Sequence, residues 1–239
     1  MKEIHISQSA MSRFRDCPYA WYCYINRKEP MFFNQEVLDI GRYVHDAIDR
    51  YYTNHYSNDR TKEQILFKLY DILKEIWDLT LPPEGLKKAY TCLEHFSEWE
   101  YKNISKGIEN PITEADIYGD GFHGIIDYFD VMSENAIDWK TNTFPVLSYG
   151  YKMQSVIYKK LISHEFNVDI KYFNFFFLMP NTWRVVKYDN PKIKSVEKDV
   201  NTLYQEMMKC YNEGYFPKKP RTPSLCKNCV YKFYCKVMD

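Results

Sequence analysis

Three cysteines near the end of the chain, Cys226, Cys229 and Cys235, are spaced C-x2-C-x5-C, and a fourth, Cys17, stands at the opposite end in Phe14-Arg-Asp-Cys17-Pro18. Three thiolates at this spacing can wrap one soft metal centre but leave a four-thiolate site one ligand short. A fourth thiolate from far upstream completes it, so any fold built on this set must bring its two ends together. Seven cysteines in all, an odd number, fit metal binding in a reducing cytoplasm better than a disulfide framework. No signal peptide and no apolar run of membrane-spanning length is visible, so a cytoplasmic protein with no membrane partner is expected. Cys92 and Cys210 lie in helical, aromatic-rich contexts and read as ordinary buried thiols. Cys23 reads the same way but is the rival to Cys17 for the fourth position.

With 239 residues, 45% hydrophobic and 18% aromatic, the chain can bury one large core. The expectation is a single domain over 1–239, with a helical insertion at about 58–106 and the cysteine region formed by 214–239 plus Cys17. The net charge is zero, but its distribution is uneven. Between Gly107 and Trp139 stand eight acids (Glu109, Glu114, Asp116, Asp120, Asp127, Asp130, Glu134, Asp138) and no Lys or Arg. From Lys218 to Lys236 there are six basic residues and no acid. An acidic block invites cations and a basic block invites phosphate, although most such charges are solvated surface.

Helical spacing predicts a segment at Met11–Ile25 broken at Cys17-Pro18, and helices at 35–56, 61–79, 84–105, 147–165 and 192–213. Period-two stretches predict strands at 111–115, 121–131, 136–141, 170–178 and 183–188. Helices, a three-strand meander, a helix, two strands and a helix add up to an α/β fold with a mixed sheet flanked by helices.

Two acids of the meander have apolar neighbours: Asp127, ending Gly124-Ile-Ile-Asp127, and Asp138, in Ile137-Asp138-Trp139-Lys140-Thr141. Asp138 and Lys140 share one face of a strand, and a hairpin can set Asp127 beside them. Two carboxylates there make a hard oxygen site for Mg²⁺ or Mn²⁺, and the lysine can meet a phosphoryl oxygen or orient the attacking water. D-x-K alone is a weak pattern, equally readable as solvated charge at a strand end.

With the other landmarks, the chain resembles the PD-(D/E)xK nuclease superfamily, in its RecB-type branch with a four-cysteine iron–sulfur cluster. Those most similar in size are the small CRISPR-associated adaptation nucleases and their viral relatives. The resemblance rests on His45 in Gly41-Arg-Tyr-Val-His45, Asp127 in G-x-x-D, Asp138-Trp139-Lys140, Gln154-Ser-Val-Ile-Tyr158, and the four cysteines. Ile126 stands where the superfamily's name has proline, a loss common in this branch.

The resemblance implies a restriction-endonuclease-like fold and a divalent-metal-dependent deoxyribonuclease. His45, Asp127, Asp138 and the Trp139 carbonyl would bind Mg²⁺ or Mn²⁺, and Lys140 would be the catalytic lysine. Gln154 and Tyr158, four apart on one helix face, would hold the scissile strand or Lys140. Cys17, Cys226, Cys229 and Cys235 would bind a [4Fe–4S] cluster, a choice over zinc that spacing leaves open. Glu114 is a candidate for an outer carboxylate, and His123 has no expected role. The implied substrate is DNA, single-stranded or with overhangs. The chain has no G-x-x-x-x-G-K-[ST], so it would act on exposed ends or with a helicase or a CRISPR integrase. A stand-alone viral or recombination exonuclease and a non-catalytic iron–sulfur DNA-binding subunit are the alternatives, with a zinc-bound interaction module behind them.

Overall fold

The computed structural model describes residues 4–30, 35–57, 59–107 and 111–235. Asn58, where the expected insertion begins, Glu109 of the acidic block and Lys236 of the basic block lie outside the described residues.

The local chemistry of the chain sets its first breaks. Helix α1 (Gln8–Asp16) opens with the Ser7 hydroxyl accepting from the Ala10 N–H, and it stops at Cys17, whose backbone is extended (φ −165°, ψ 119°). The residue before a proline avoids the helical region, and proline is pre-shaped for a first helical turn. Pro18 accordingly starts α2 (Pro18–Ile25). Helix α3 (Gln35–His55) follows. Thr61 and Gln64 cap α4 (Lys62–Ile76) reciprocally, and Pro82-Pro83 introduces α5 (Pro83–Ile104).

Among the described residues the sheet has five strands in chain order: β1 (Ile112–Gly119), β2 (Phe122–Asp130), β3 (Asn135–Lys140), β4 (Tyr172–Phe177) and β5 (Thr182–Lys187). Every neighbouring pair is antiparallel except β3–β4, which is parallel. A parallel pair requires a crossover, and α6 (Tyr149–Phe166) supplies it. Strand β1 runs on to Gly119 where the sequence spacing ended it at Ala115. Its far half pairs with β2 across a two-residue loop, Asp120-Gly121, with both residues at positive φ (51° and 79°). That is the geometry of a type I′ hairpin, in which Asp-Gly is favoured.

Helices α1, α6 and α7 (Pro191–Glu213) cover one face of the sheet around Phe122, Ile126, Phe129, Phe173, Phe175 and Phe177. Helices α3, α4 and α5 pack together on the other face, over Tyr128, Ile137, Trp139, Phe176 and Leu178. The stretch read as an insertion is therefore continuous with α3 in the layer over that face. Among the described residues, no helix is long and apolar enough to cross a membrane.

This second layer buries a carboxylate. Glu100, 1% exposed, accepts from the Tyr52 hydroxyl at 2.7 Å, and nearby Asn103 donates to the Tyr128 hydroxyl at 2.7 Å. Burial pushes the Glu100 pKa up to about 7, only partly offset by the Tyr52 hydrogen bond. The native state thus favours protonated Glu100. That stabilisation is complete below about pH 4.5 and is lost as pH rises through about 7. Glu100→Gln removes the titration, so its stability relative to the parent should rise by about 3 kcal/mol between pH 4.5 and pH 8.5. Urea unfolding of both proteins at the two pH values measures it, and a difference independent of pH would refute it.

Candidate active site

Strands β2 and β3 stay paired only from Asp130↔Asn135 to Tyr128↔Ile137, after which β3 continues against β4. At this fork the Asp127 side chain takes over from the ladder, its Oδ2 accepting the Trp139 N–H at 2.7 Å. On the other side of β2, the β1–β2 ladder pairs Thr113 with Tyr128 and Ala115 with Ile126 but skips the step between them, where Glu114 faces Asp127. Glu114 has φ +44°, a left-handed conformation unusual for a side chain of this kind and one that collects at functional sites. The faces of β2 also change phase here. Ile126 and Phe129 belong to the α6 side and Tyr128 to the α3 side. A split in the sheet lets groups from both helical layers reach one point.

From α3 comes His45. Its Nδ1 lies 3.4 Å from Glu114 Oε1 and 3.6 Å from Asp127 Oδ1, while Nε2 lies 3.2 Å from the Trp139 carbonyl, to which its N–H donates. One ligand atom from each of His45, Glu114 and Asp127 falls within 4.8 Å of the others. Lone pairs converging this closely need positive charge among them. A second proton on the ring is one solution. Burial works to lower the His45 pKa, yet Asp127, Glu114 and Asp138 outweigh it and hold the ring up to about 9. Burial and then the neighbouring Asp138 charge push the Asp127 carboxyl well above its usual range, against the opposing pull of His45. A divalent cation is the other solution, and the donors fit it: oxygen-rich, with one imidazole whose second nitrogen is held by a carbonyl. Buried Glu114 Oε1 makes no contact of hydrogen-bond geometry beyond its 3.4 Å approach to His45 Nδ1.

From the α6 side, Asp138 and Lys140 project together from β3. Asp138 Oδ1 contacts Lys140 Nζ, and Oδ2 accepts from Gln154 Nε2. Lys140 Nζ sits 4.9 Å above the Tyr151 ring. Burial works to lower the Lys140 pKa, but Asp138 and Asp127 more than compensate, so the ammonium stays charged. Tyr158 donates to the Ile125 carbonyl at 2.6 Å and accepts from Gln154 at 3.3 Å. Gln154 and Tyr158 therefore hold Asp138 and β2, where the sequence reading set them on the scissile strand or Lys140. Gly124 of G-x-x-D has a steric reason: a Cβ there would overlap the Tyr158 ring.

The structure brings His45, Asp127, Asp138, Lys140, Gln154, Tyr158 and the Trp139 carbonyl into one region, but the three-donor group within it is His45, Asp127 and Glu114. Asp138, expected as a ligand, is instead held by Lys140 and Gln154, and the Trp139 carbonyl accepts from His45. The signal for Glu114 was its distance from the turn. A two-residue loop at Asp120-Gly121 pairs residues whose numbers sum to a constant, which sets 114 opposite 127. His123 is elsewhere, paired with Asp116 and stacked on Tyr118.

A second centre lies where the chain ends meet. Cys17, Cys226, Cys229 and Cys235 all line one cavity of about 540 Å³, whereas Cys23 is not among its lining residues and packs with Ala20 and Tyr231. Burial, then the nearby Cys229, Cys235 and Cys17, push the Cys23 thiol up to about 11. Among the described residues no three cysteine sulfurs come within 4.8 Å of one another. The tail is tied down beside α1 and α2: the Arg221 N–H donates to the Asp16 carbonyl at 2.9 Å, its guanidinium pairs with Asp16, and Tyr19 donates to the Tyr234 carbonyl at 2.9 Å. Two cations of the basic block, Arg221 on Asp16 and Lys218 over the Tyr19 ring, are already engaged.

Comparison with curated proteins finds no match. Among solved structures, the crystal structure of SSO0001 aligns with 81% of this chain and 84% of its own, at 16% identity and a TM-score of 0.35, a likeness too slight to carry an argument. The model of the PD-(D/E)XK nuclease superfamily matches residues 5–236, a span that takes in both the forked sheet and the cysteine cavity, and the chain belongs to that superfamily.

Proposed function

We propose that this protein is a divalent-metal-dependent deoxyribonuclease that trims single-stranded or overhanging DNA ends, and that His45, Glu114 and Asp127 hold its Mg²⁺ or Mn²⁺. The observation carrying this reading is the convergence of those three donors within 4.8 Å, beside a charged lysine on the neighbouring strand. When bound, the cation supplies positive charge against the phosphate as it is attacked.

The protein's own groups do the rest. His45 is oriented by its Nε2–H bond to the Trp139 carbonyl, which leaves Nδ1 facing the carboxylates. Asp127 is fixed by the Trp139 N–H, and Asp138 by Gln154. Lys140, fully charged and braced on Tyr151, is placed to stabilise negative charge on a phosphoryl oxygen or to orient the attacking water. The preference for exposed strands rests on the absence of a nucleotide-binding motor motif and on the family resemblance. The same resemblance supports work alongside a CRISPR integrase or a helicase. For the second centre, four thiols lining one cavity, together with the family resemblance, support a [4Fe–4S] cluster whose role is to join the two ends of the fold.

The test is metal binding and cleavage in parallel. End-labelled single strands should be cut with added Mn²⁺ and not in EDTA. Glu114→Gln, which keeps the shape and removes the charge, should weaken Mn²⁺ affinity by about 10- to 100-fold in calorimetric titration. Unchanged Mn²⁺ affinity in this variant would remove Glu114 from the site, and cleavage surviving EDTA would remove the metal mechanism.

A further inference from the structure

The loop joining β3 to α6, residues 141–148, leaves directly from Lys140 and carries two large exposed apolar side chains, Phe144 (77% exposed) and Val146 (65%). Single exposed apolar residues are ordinary, but this pair is held in place. The Phe144 carbonyl accepts from Asn142 Nδ2 at 2.8 Å and from the Val146 N–H at 2.9 Å. The Pro145 carbonyl accepts from Arg184 Nε on β5 at 2.9 Å, and the Val146 carbonyl accepts from the Ser148 N–H at 2.9 Å. Asn142 is itself bonded by the Tyr151 hydroxyl at 3.2 Å, and the Tyr151 ring is the one beneath the Lys140 ammonium. At its root, Thr141 Oγ1 lies where a Cβ on Gly41 would meet it at 3.3 Å, one helical turn before His45. Phe144 is thus indexed to the Lys140 site through Tyr151 and Asn142.

We propose that Phe144 is a substrate-positioning residue whose ring stacks on an unpaired base of the bound strand and so selects which phosphate lies at Lys140. The proposal rests on the nuclease reading above. The occupant follows from what the loop still offers. The carbonyls of Phe144, Pro145 and Val146 are already accepting, so the tip is poor in acceptors for a peptide strand laid along it, whereas the aromatic face is free. A base beside a phosphate-handling site is the planar partner that such a face takes, and stacking of this kind contributes about 1–3 kcal/mol per base. Because the loop is pre-braced, little ordering entropy opposes the contact. A base inside a duplex has both faces covered by its stacked neighbours, so the same ring favours unstacked bases in frayed or single-stranded ends.

The experiment uses the full chain in a Lys140→Ala background, so that DNA is not consumed, and measures affinity by fluorescence anisotropy for a single strand and for a set with one abasic site moved along it. Phe144→Ala should weaken binding of the intact strand by about 5- to 150-fold, and Phe144→Trp should restore it. At one position the abasic site should cost the Phe144 protein a similar factor and cost Phe144→Ala nothing more, the signature of two groups in contact. Equal affinity of Phe144→Ala and its parent would overturn the proposal. So would a loss that adds fully to every abasic site, or a change confined to self-association in sedimentation. The readout is binding, so its failure is distinct from that of the nuclease reading, which shows as absence of Mn²⁺-dependent cleavage by the unmodified chain.

Discussion

Lys140→Ala is expected to lower the rate of phosphodiester cleavage by roughly 10²–10³ while leaving single-strand affinity largely intact, comparable to the loss of one oxyanion-stabilising donor. The size of the effect follows from the ammonium's surroundings. It is largely but not wholly buried, held charged by Asp138 and Asp127, and braced over Tyr151, so its positive charge acts in a site of lowered dielectric. Because it meets charge that develops during the reaction, its removal should fall on kcat more than on binding. Single-turnover cleavage with saturating Mn²⁺, alongside anisotropy in the same buffer, separates the two. Robust metal-dependent cutting by a homogeneous Lys140→Ala preparation would show that the activity belongs elsewhere, and the nuclease proposal would fall.

The second large effect is expected at the joined ends. Protein purified without oxygen should carry iron, and Cys226→Ser should lose it and unfold at markedly lower temperature. A link between Cys17 and the tail closes a loop spanning nearly the whole chain, and by chain entropy alone such a closure stabilises by about 5 kcal/mol. That is a large share of the roughly 5–15 kcal/mol that holds a domain folded. Cys17→Ser should behave like Cys226→Ser, because Cys17 lines the cavity with the other three. Cys23→Ser should keep its iron, since Cys23, although packed near Cys17 and Cys229, does not line the cavity. Iron retained in Cys17→Ser but lost in Cys23→Ser would reverse the assignment, and stoichiometric zinc without iron would replace the cluster altogether.

These two sites differ in how they are written in the chain. The elements themselves were legible in one dimension. Ser7, Thr61, Pro18 and Pro83 act within a turn or two of their own positions, and Asp138 and Lys140 share a face because a strand repeats every two residues. The cysteine spacing likewise announced that the ends must meet. What local pattern could not supply was the fork in the sheet. It arises where β3 leaves β2 for β4, a partner more than thirty residues later in the sequence, as the parallel register Asp138↔Phe175 shows. Beside that divergence Glu114 stands in its left-handed conformation opposite Asp127, and His45 reaches both from the α3 layer.

Tertiary packing also gave Gln154 and Tyr158 partners within the protein, Asp138 and the Ile125 carbonyl. Helical spacing places them on one face, but whether that face meets substrate or sheet depends on how α6 lies, and Gly124 lets the Tyr158 ring close onto β2. The sequence by itself therefore determined the helices, the strands, the acid–lysine pair and the need to join the ends, because each depends on short-range periodicity or on ligand count. The tertiary structure alone decided which carboxylate converges with Asp127 on His45, which nitrogen of His45 faces them and which of the five neighbouring thiols line the cavity, because each depends on distances between segments far apart along the chain.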